Sequence, residues 1–312
     1  MLSSEAEPSS LNDVIAAAPH ICSAVFDPSD AILRDAPRIP SRYGDYPQAV
    51  ESLVSNQSLS SIIGSLLTVF VKIGDISTLQ HSLRVSMLAE RAAALLGRSR
   101  SGRRLAGMTG LLHDIGKTDP VVNRAIHSGL PLTTADRTVV NKHARIGFEA
   151  IYEAGRNPAI SLRERCGASM SQVALGALFS HANARNPENN GVDEAHIAGL
   201  VESGIVTPND ARSHFREDTV LLVTLADATD ALLSTGSERA YRASRLAAEG
   251  RSVQIDPATV IDTIKATIDS GAIDVAAFVT SAVGQYPEVC RAADSLSAEL
   301  SRRTVLANYR TA

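Results

Sequence analysis

His81-Ser-Leu-Arg-Val-Ser-Met-Leu-Ala-Glu-Arg-Ala-Ala-Ala-Leu-Leu-Gly97 decides the fold class. Val85, Leu88, Ala92 and Leu95 recur at helical spacing, and His81, four residues before Val85, begins the same face. Similar apolar-periodic segments lie on either side, at roughly 59–73 and 103–113, with Gly97 and the basic run Arg98–Arg104 between the 81–97 stretch and the second of them. Residues 118–136 read as loop, with Pro120, Gly129 and Pro131, and Thr133-Thr-Ala-Asp136 has the chemistry of a helix cap. Further helices are expected at about 136–155, 170–181 and 217–233, with the turn-rich stretch His181–His196 between the last two. Two or three more follow Asp256-Pro257. No segment alternates as a strand would, aromatic residues are only 4%, and Ala and Leu dominate, so the expected fold is all-α.

The 312 residues allow one large domain or two small ones. With 44% hydrophobic and 21% charged residues the chain has the composition of a globular protein, not of a disordered one. The net charge of −4 argues against a nucleic acid polymer as partner. Cys22, Cys166 and Cys290 are odd in number and in no CxxC arrangement, which fits a reducing compartment. The acidic start lacks signal-peptide order, and the longest apolar stretch, Ile62–Ile73, is interrupted by Gly64, Ser65, Thr68 and Lys72. A cytoplasmic protein without a membrane segment is the expectation. Six prolines between Pro8 and Pro47 mark residues 1–58 as an extension of short helices and loops. Residues 59–275 are expected to form the main domain, with 276–312 a C-terminal helical segment packed on it.

Charged residues stand in unusual places. The nearly apolar stretch Leu105–Leu112 runs straight into His113-Asp-Ile-Gly-Lys117, and Thr219–Leu233 carries no charge except Asp227 and Asp230. A buried carboxylate costs several kcal/mol unless it is partnered, by a metal ion, a lysine or a helix end. His81, His113, His143 and His181 each adjoin an apolar helical stretch, whereas His20, His127, His196 and His214 lie in polar or loop contexts. Imidazole with carboxylate and without cysteine suits a divalent transition metal more than a structural zinc site.

His81, then His113-Asp114, then Asp227 on a late helix resembles the HD superfamily of metal-dependent phosphohydrolases. The finer pattern resembles its HD-GYP branch, whose members hydrolyse the bacterial messenger cyclic di-GMP. Asp75-Ile-Ser-Thr78, His81-Ser-Leu-Arg-Val85, His113-Asp-Ile-Gly-Lys117, Pro131-Leu-Thr133 and His143-Ala-Arg-Ile-Gly147 follow in that order. Leu225-Ala-Asp227-Ala-Thr-Asp230-Ala-Leu232, Arg239-Ala-Tyr-Arg242 and Val253-Gln-Ile-Asp-Pro257 continue it over about residues 60–270. Two departures stand out: Ser180 replaces an expected histidine before His181, and the loop Asn186–Gly191 has no Gly-Tyr-Pro.

The resemblance implies an HD-domain helix bundle with a metal site between its central helices. One ion would be held by His81, His113, Asp114 and Asp227, and Asp114 would bridge to a second with His143 and His181, weakened by Ser180. Fe or Mn is favoured, with Zn, Ni or Mg as other candidates, and metal-activated hydroxide would cleave the phosphodiester. Asp114 and Lys117 are the catalytic candidates. Lys117, Arg239, Arg242 and Asn183 are the substrate-binding candidates, while Asp230 and Ser180 would back the ligands rather than bind metal themselves. The implied partner is a cyclic dinucleotide or another phosphoester, and a signalling partner could dock through residues 1–58; a homodimer is compatible. A catalytically degenerate signalling or interaction module is the alternative reading, and an HD-fold di-iron oxygenase the third.

Overall fold

The computed structural model describes residues 66–128, 132–156, 170–181, 194–208, 218–234, 256–268, 270–271 and 273–311. The described helices are α1 (Ile76–Leu95), α2 (Arg100–Leu112), α3 (Pro120–Ile126), α4 (Thr134–Asn141) and α5 (His143–Arg156). They continue as α6 (Met170–Phe179), α7 (Glu194–Glu202), α8 (Asp218–Leu233), α9 (Pro257–Thr267) and α10 (Val275–Thr311). A 3₁₀ turn, Ile115–Thr118, follows α2. Among the described residues there is no β-strand, as the composition implies.

Helix α1 is the axis of the bundle and packs against α2, α8 and α10. Asp75 caps its N-terminus by accepting from the Thr78 amide at 3.1 Å. The helix therefore begins five residues before His81, which sits in its second turn rather than opening it. From His81 to Ala89 every residue is buried, polar ones included, because three helices surround this segment. Close approach of α2 depends on glycine: a Cβ on Gly110 would lie 3.1 Å from the Ser86 backbone. Ser86 Oγ donates to the Gly107 carbonyl at 2.7 Å across the same crossing.

Three segment readings are corrected. The expected loop at 118–136 contains α3, because Asp119 accepts from the Val121 and Val122 amides and Pro120 occupies the first turn, where its missing N–H costs nothing. The single helix expected at 136–155 is two, broken at Lys142, whose amide bonds back to Val139 and Val140. Thr133 and Asp136 form a reciprocal capping box that starts α4. The expected turn-rich stretch His181–His196 runs into α7, which already begins at Glu194. His127 is exposed, as its polar context implies, and its Nε2 lies 3.1 Å from Asp75 Oδ2.

Away from the histidines, Glu90 on α1 lies against Gly107. Burial pushes its carboxyl up to about 7 although Arg103 and Arg104 oppose the shift. A raised folded-state pKa means that its contribution is complete below about 4.5 and is lost as pH rises through about 7. Glu90→Gln is expected to raise the melting temperature relative to the parent at pH 8 and to leave it nearly unchanged at pH 4.5. A difference independent of pH would show that Glu90 does not titrate in this way.

Candidate metal centre

Five helices deliver side chains to one point. His81 comes from α1, His113 and Asp114 from the end of α2, His143 from the first position of α5, His181 from just beyond α6, and Asp227 from α8. Asp114 is wholly buried, with His81 Nε2 and His113 Nε2 each 3.5 Å from its Oδ2 and His143 Nε2 3.3 Å from its Oδ1. Asp227 Oδ1 lies 3.0 Å from His81 Nε2 and 3.8 Å from His113 Nε2, and its Oδ2 is 3.8 Å from His181 Nδ1. His143 and His181 bring their Nε2 atoms within 3.0 Å.

Three of the rings are fixed from behind. His81 Nδ1 meets Asp230 Oδ2 at 2.7 Å, His113 Nδ1 meets the Gly110 carbonyl at 2.8 Å, and His143 Nδ1 meets the Val140 carbonyl at 2.6 Å. An oxygen acceptor at each Nδ1 selects the Nδ1–H tautomer and turns the Nε2 lone pair inward, as in histidines that ligate metal. His81 Nε2, His113 Nε2 and Asp114 Oδ1 are buried with no hydrogen-bond partner among the described residues. Contacts of 3.0–3.5 Å that are not aligned as hydrogen bonds suit atoms arranged around a cation between them. His81, His113 and Asp114 form one group able to hold a metal; Asp114, His143 and His181 form another, with Asp114 common to both. The donor set, imidazole and carboxylate, fits a divalent ion.

Electrostatics agree with this geometry. Burial opposes ionisation of Asp114 and Asp227, yet His113 and Lys117 around the first, and His113 and His81 around the second, hold both well below the usual carboxylate range. Burial also opposes the charged His81 ring, but Asp227 and Asp230 outweigh it and hold its pKa at about 9, so near neutrality Nε2 carries a proton that a bound cation would have to displace. His181 goes the other way, down to about 3, through burial and the neighbouring His143. Lys117, in the 3₁₀ turn, reaches Asp114 Oδ2 with its ammonium at 2.5 Å.

Gly116 and Gly147 explain how α5 comes so near. A Cβ on Gly116 would meet the His143 carbonyl and lie 2.7 Å from the Gly147 amide nitrogen, and one on Gly147 would lie 3.2 Å from the Gly116 nitrogen. The glycines of His113-Asp-Ile-Gly-Lys117 and His143-Ala-Arg-Ile-Gly147 thus face one another and let His143 reach Asp114.

Every one of the six expected ligands that the sequence singled out lies in this cluster. Ser180 is wholly buried behind it, with its hydroxyl donating to the Ala177 carbonyl at 2.8 Å and its carbonyl accepting from Thr224. Asn183, Arg239 and Arg242 lie outside the described residues, as do His20 and His214. Two contributors carry no role in the sequence reading. Arg84, only 3% exposed, donates from Nε to Asp230 Oδ1 at 2.7 Å and from Nη2 to Asp230 Oδ2 at 3.2 Å. Tyr286 of α10 donates to Asp230 Oδ1 at 2.7 Å. Burial and the Asp230 charge push the Tyr286 phenol up, so it stays a donor. A charged residue within the apolar stretch of α1 was a usable signal for Arg84; Tyr286 had none, because only the fold brings α10 to α8.

Among the described residues no helix is long and apolar enough to cross a membrane. In comparisons with known proteins, the family model described as HD domain matches residues 78–232. No curated protein and no solved structure matches the chain.

Proposed function

Because the chain belongs to the HD superfamily, its HD domain spanning residues 78–232, we propose that it is a metal-dependent phosphodiesterase acting on a cyclic dinucleotide of the cyclic di-GMP type. The observation that carries the reading is the pair of His/Asp groups sharing Asp114, with His81 Nε2 and His113 Nε2 buried beside it and without hydrogen bonds among the described residues. His81, His113, Asp114 and Asp227 would hold one ion, and Asp114, His143 and His181 a second. Fe or Mn is the favoured identity. A divalent metal so held supplies Lewis-acid polarisation of the phosphoryl group and brings the pKa of water towards neutrality.

The chain's own residues do the rest. Asp230 keeps His81 oriented, and the carbonyls of Gly110 and Val140 do the same for His113 and His143. Burial of the Asp114 side excludes bulk water and strengthens each charge interaction there. Lys117 is 19% exposed at the edge of the cluster, where its ammonium can turn from Asp114 to a substrate phosphate and offset charge developing in the transition state. Arg239, Arg242 and Asn183 are proposed as further substrate contacts, on the resemblance in sequence order alone. Ser180 removes one imidazole from the second group, which lowers its expected affinity relative to the first.

Hydrolysis of cyclic di-GMP and of bis(p-nitrophenyl) phosphate by Mn- or Fe-loaded protein tests the proposal. Turnover of both is the expected result. Cleavage of the simple diester alone would remove the cyclic dinucleotide assignment and leave a phosphodiesterase. Loaded protein that cleaves neither would favour a degenerate signalling module on an inherited fold.

A further inference from the structure

Asp230 is a carboxylate with no exposure to solvent, and the family match ends close behind it at residue 232. Among the described residues its four hydrogen bonds come from two directions. His81 and Arg84, one turn apart on α1, approach together: His81 Nδ1 and Arg84 Nη2 reach Oδ2, and Arg84 Nε reaches Oδ1. The fourth donor, Tyr286 OH, reaches Oδ1 at 2.7 Å from a residue 56 positions downstream, on a helix that packs against both α1 and α8.

We infer that Tyr286 is a positioning residue of the metal centre, holding Asp230 so that the His81 imidazole keeps the tautomer and direction that present Nε2 to the metal. The inference rests on the metal-centre reading above and extends that centre beyond the matched HD domain to the C-terminal helix.

The argument is one of constraint. A carboxylate gripped from α1 alone can rotate and follow that helix; a donor from α10 fixes Oδ1 against a second body. Because His81 Nδ1 is tied to Oδ2 of the same carboxylate, a fixed Oδ1 fixes the imidazole plane. Loss of a hydrogen-bond partner of a metal ligand costs about ten- to a hundredfold in metal affinity. Tyr286 acts one bond further out and Arg84 remains on Oδ1, so about three- to tenfold is expected, at or below the low end of that range.

Titration of the full chain with Co(II), followed by visible absorption, reads both affinity and ligand geometry. Tyr286→Phe, which keeps the ring and removes only the hydroxyl, is expected to weaken the ion bound at His81 about three- to tenfold and to shift its absorption bands. In a His81→Gln background the same change should have no further effect, because the two residues act through one carboxylate. Identical affinity and bands in parent and Tyr286→Phe would overturn the inference. An equal loss in the His81→Gln background would also overturn it, by showing a general effect on the fold. If the parent binds no Co(II), the metal-centre reading itself falls, an outcome distinct from a parent that binds and a variant that matches it.

Discussion

Asp114→Ala is expected to lose metal from both groups, and phosphoester hydrolysis should fall by more than about a hundredfold, above the cost of losing a ligand's supporting partner. Asp114 is the residue common to the two His/Asp groups, and His81, His113 and His143 all approach its carboxylate within 3.5 Å. Without it each group keeps imidazoles but loses the shared negative charge, while Lys117 loses its ion-pair partner. Lys117 is partly exposed and can turn to water, so the fold should survive. Metal analysis and turnover of the variant, with circular dichroism as the check on folding, decide the matter. A folded Asp114→Ala protein that keeps the parent's metal content would show that Asp114 is not a ligand.

The second large effect is expected at Gly116. A methyl group there has no space: the His143 carbonyl already occupies it, and the Gly147 nitrogen lies 2.7 Å away. Both neighbours are backbone, so neither can swing aside as a flexible side chain would. Overpacking costs about 1–3 kcal/mol and occasionally more, and a clash with helix backbone belongs at the upper end. Gly116→Ala should therefore destabilise the protein by about 3 kcal/mol and push His143 away from Asp114, reducing metal binding at the second group first. Gly199→Ala is the control: it lies in α7 with no atom near the added methyl, and alanine favours helix, so stability should hold or rise. Urea denaturation of the two variants separates the cases, and a Gly116→Ala protein as stable as the parent would refute the close approach of the 3₁₀ turn to α5.

Much of the site was legible because its chemistry conflicts with its surroundings. His113 and Asp114 end an apolar run, and Asp227 and Asp230 interrupt another, so each marks a buried polar group that needs a partner. Periodicity located α6 and α8 to within a few residues, since both are driven by apolar burial, but gave no sign of α7. It failed where local chemistry decides the boundary. The cap at Asp75 lies upstream of the apolar stripe; Asp119-Pro120 looks like loop but starts α3; and the break at Lys142 comes from backbone bonding that leaves no apolar signature. The support network was hidden for a different reason. Arg84, Asp230 and Tyr286 come from three helices, and nothing near Tyr286 in the chain records that its hydroxyl faces Asp230.

The number of divalent ions bound per chain tests the binuclear reading most directly. Elemental analysis of protein purified anaerobically and supplied with Mn or Fe should give about two ions per chain, falling to about one in His143→Ala, which dismantles only the second group. A parent protein that holds no divalent ion under these conditions would contradict the metal centre and the phosphohydrolase built on it.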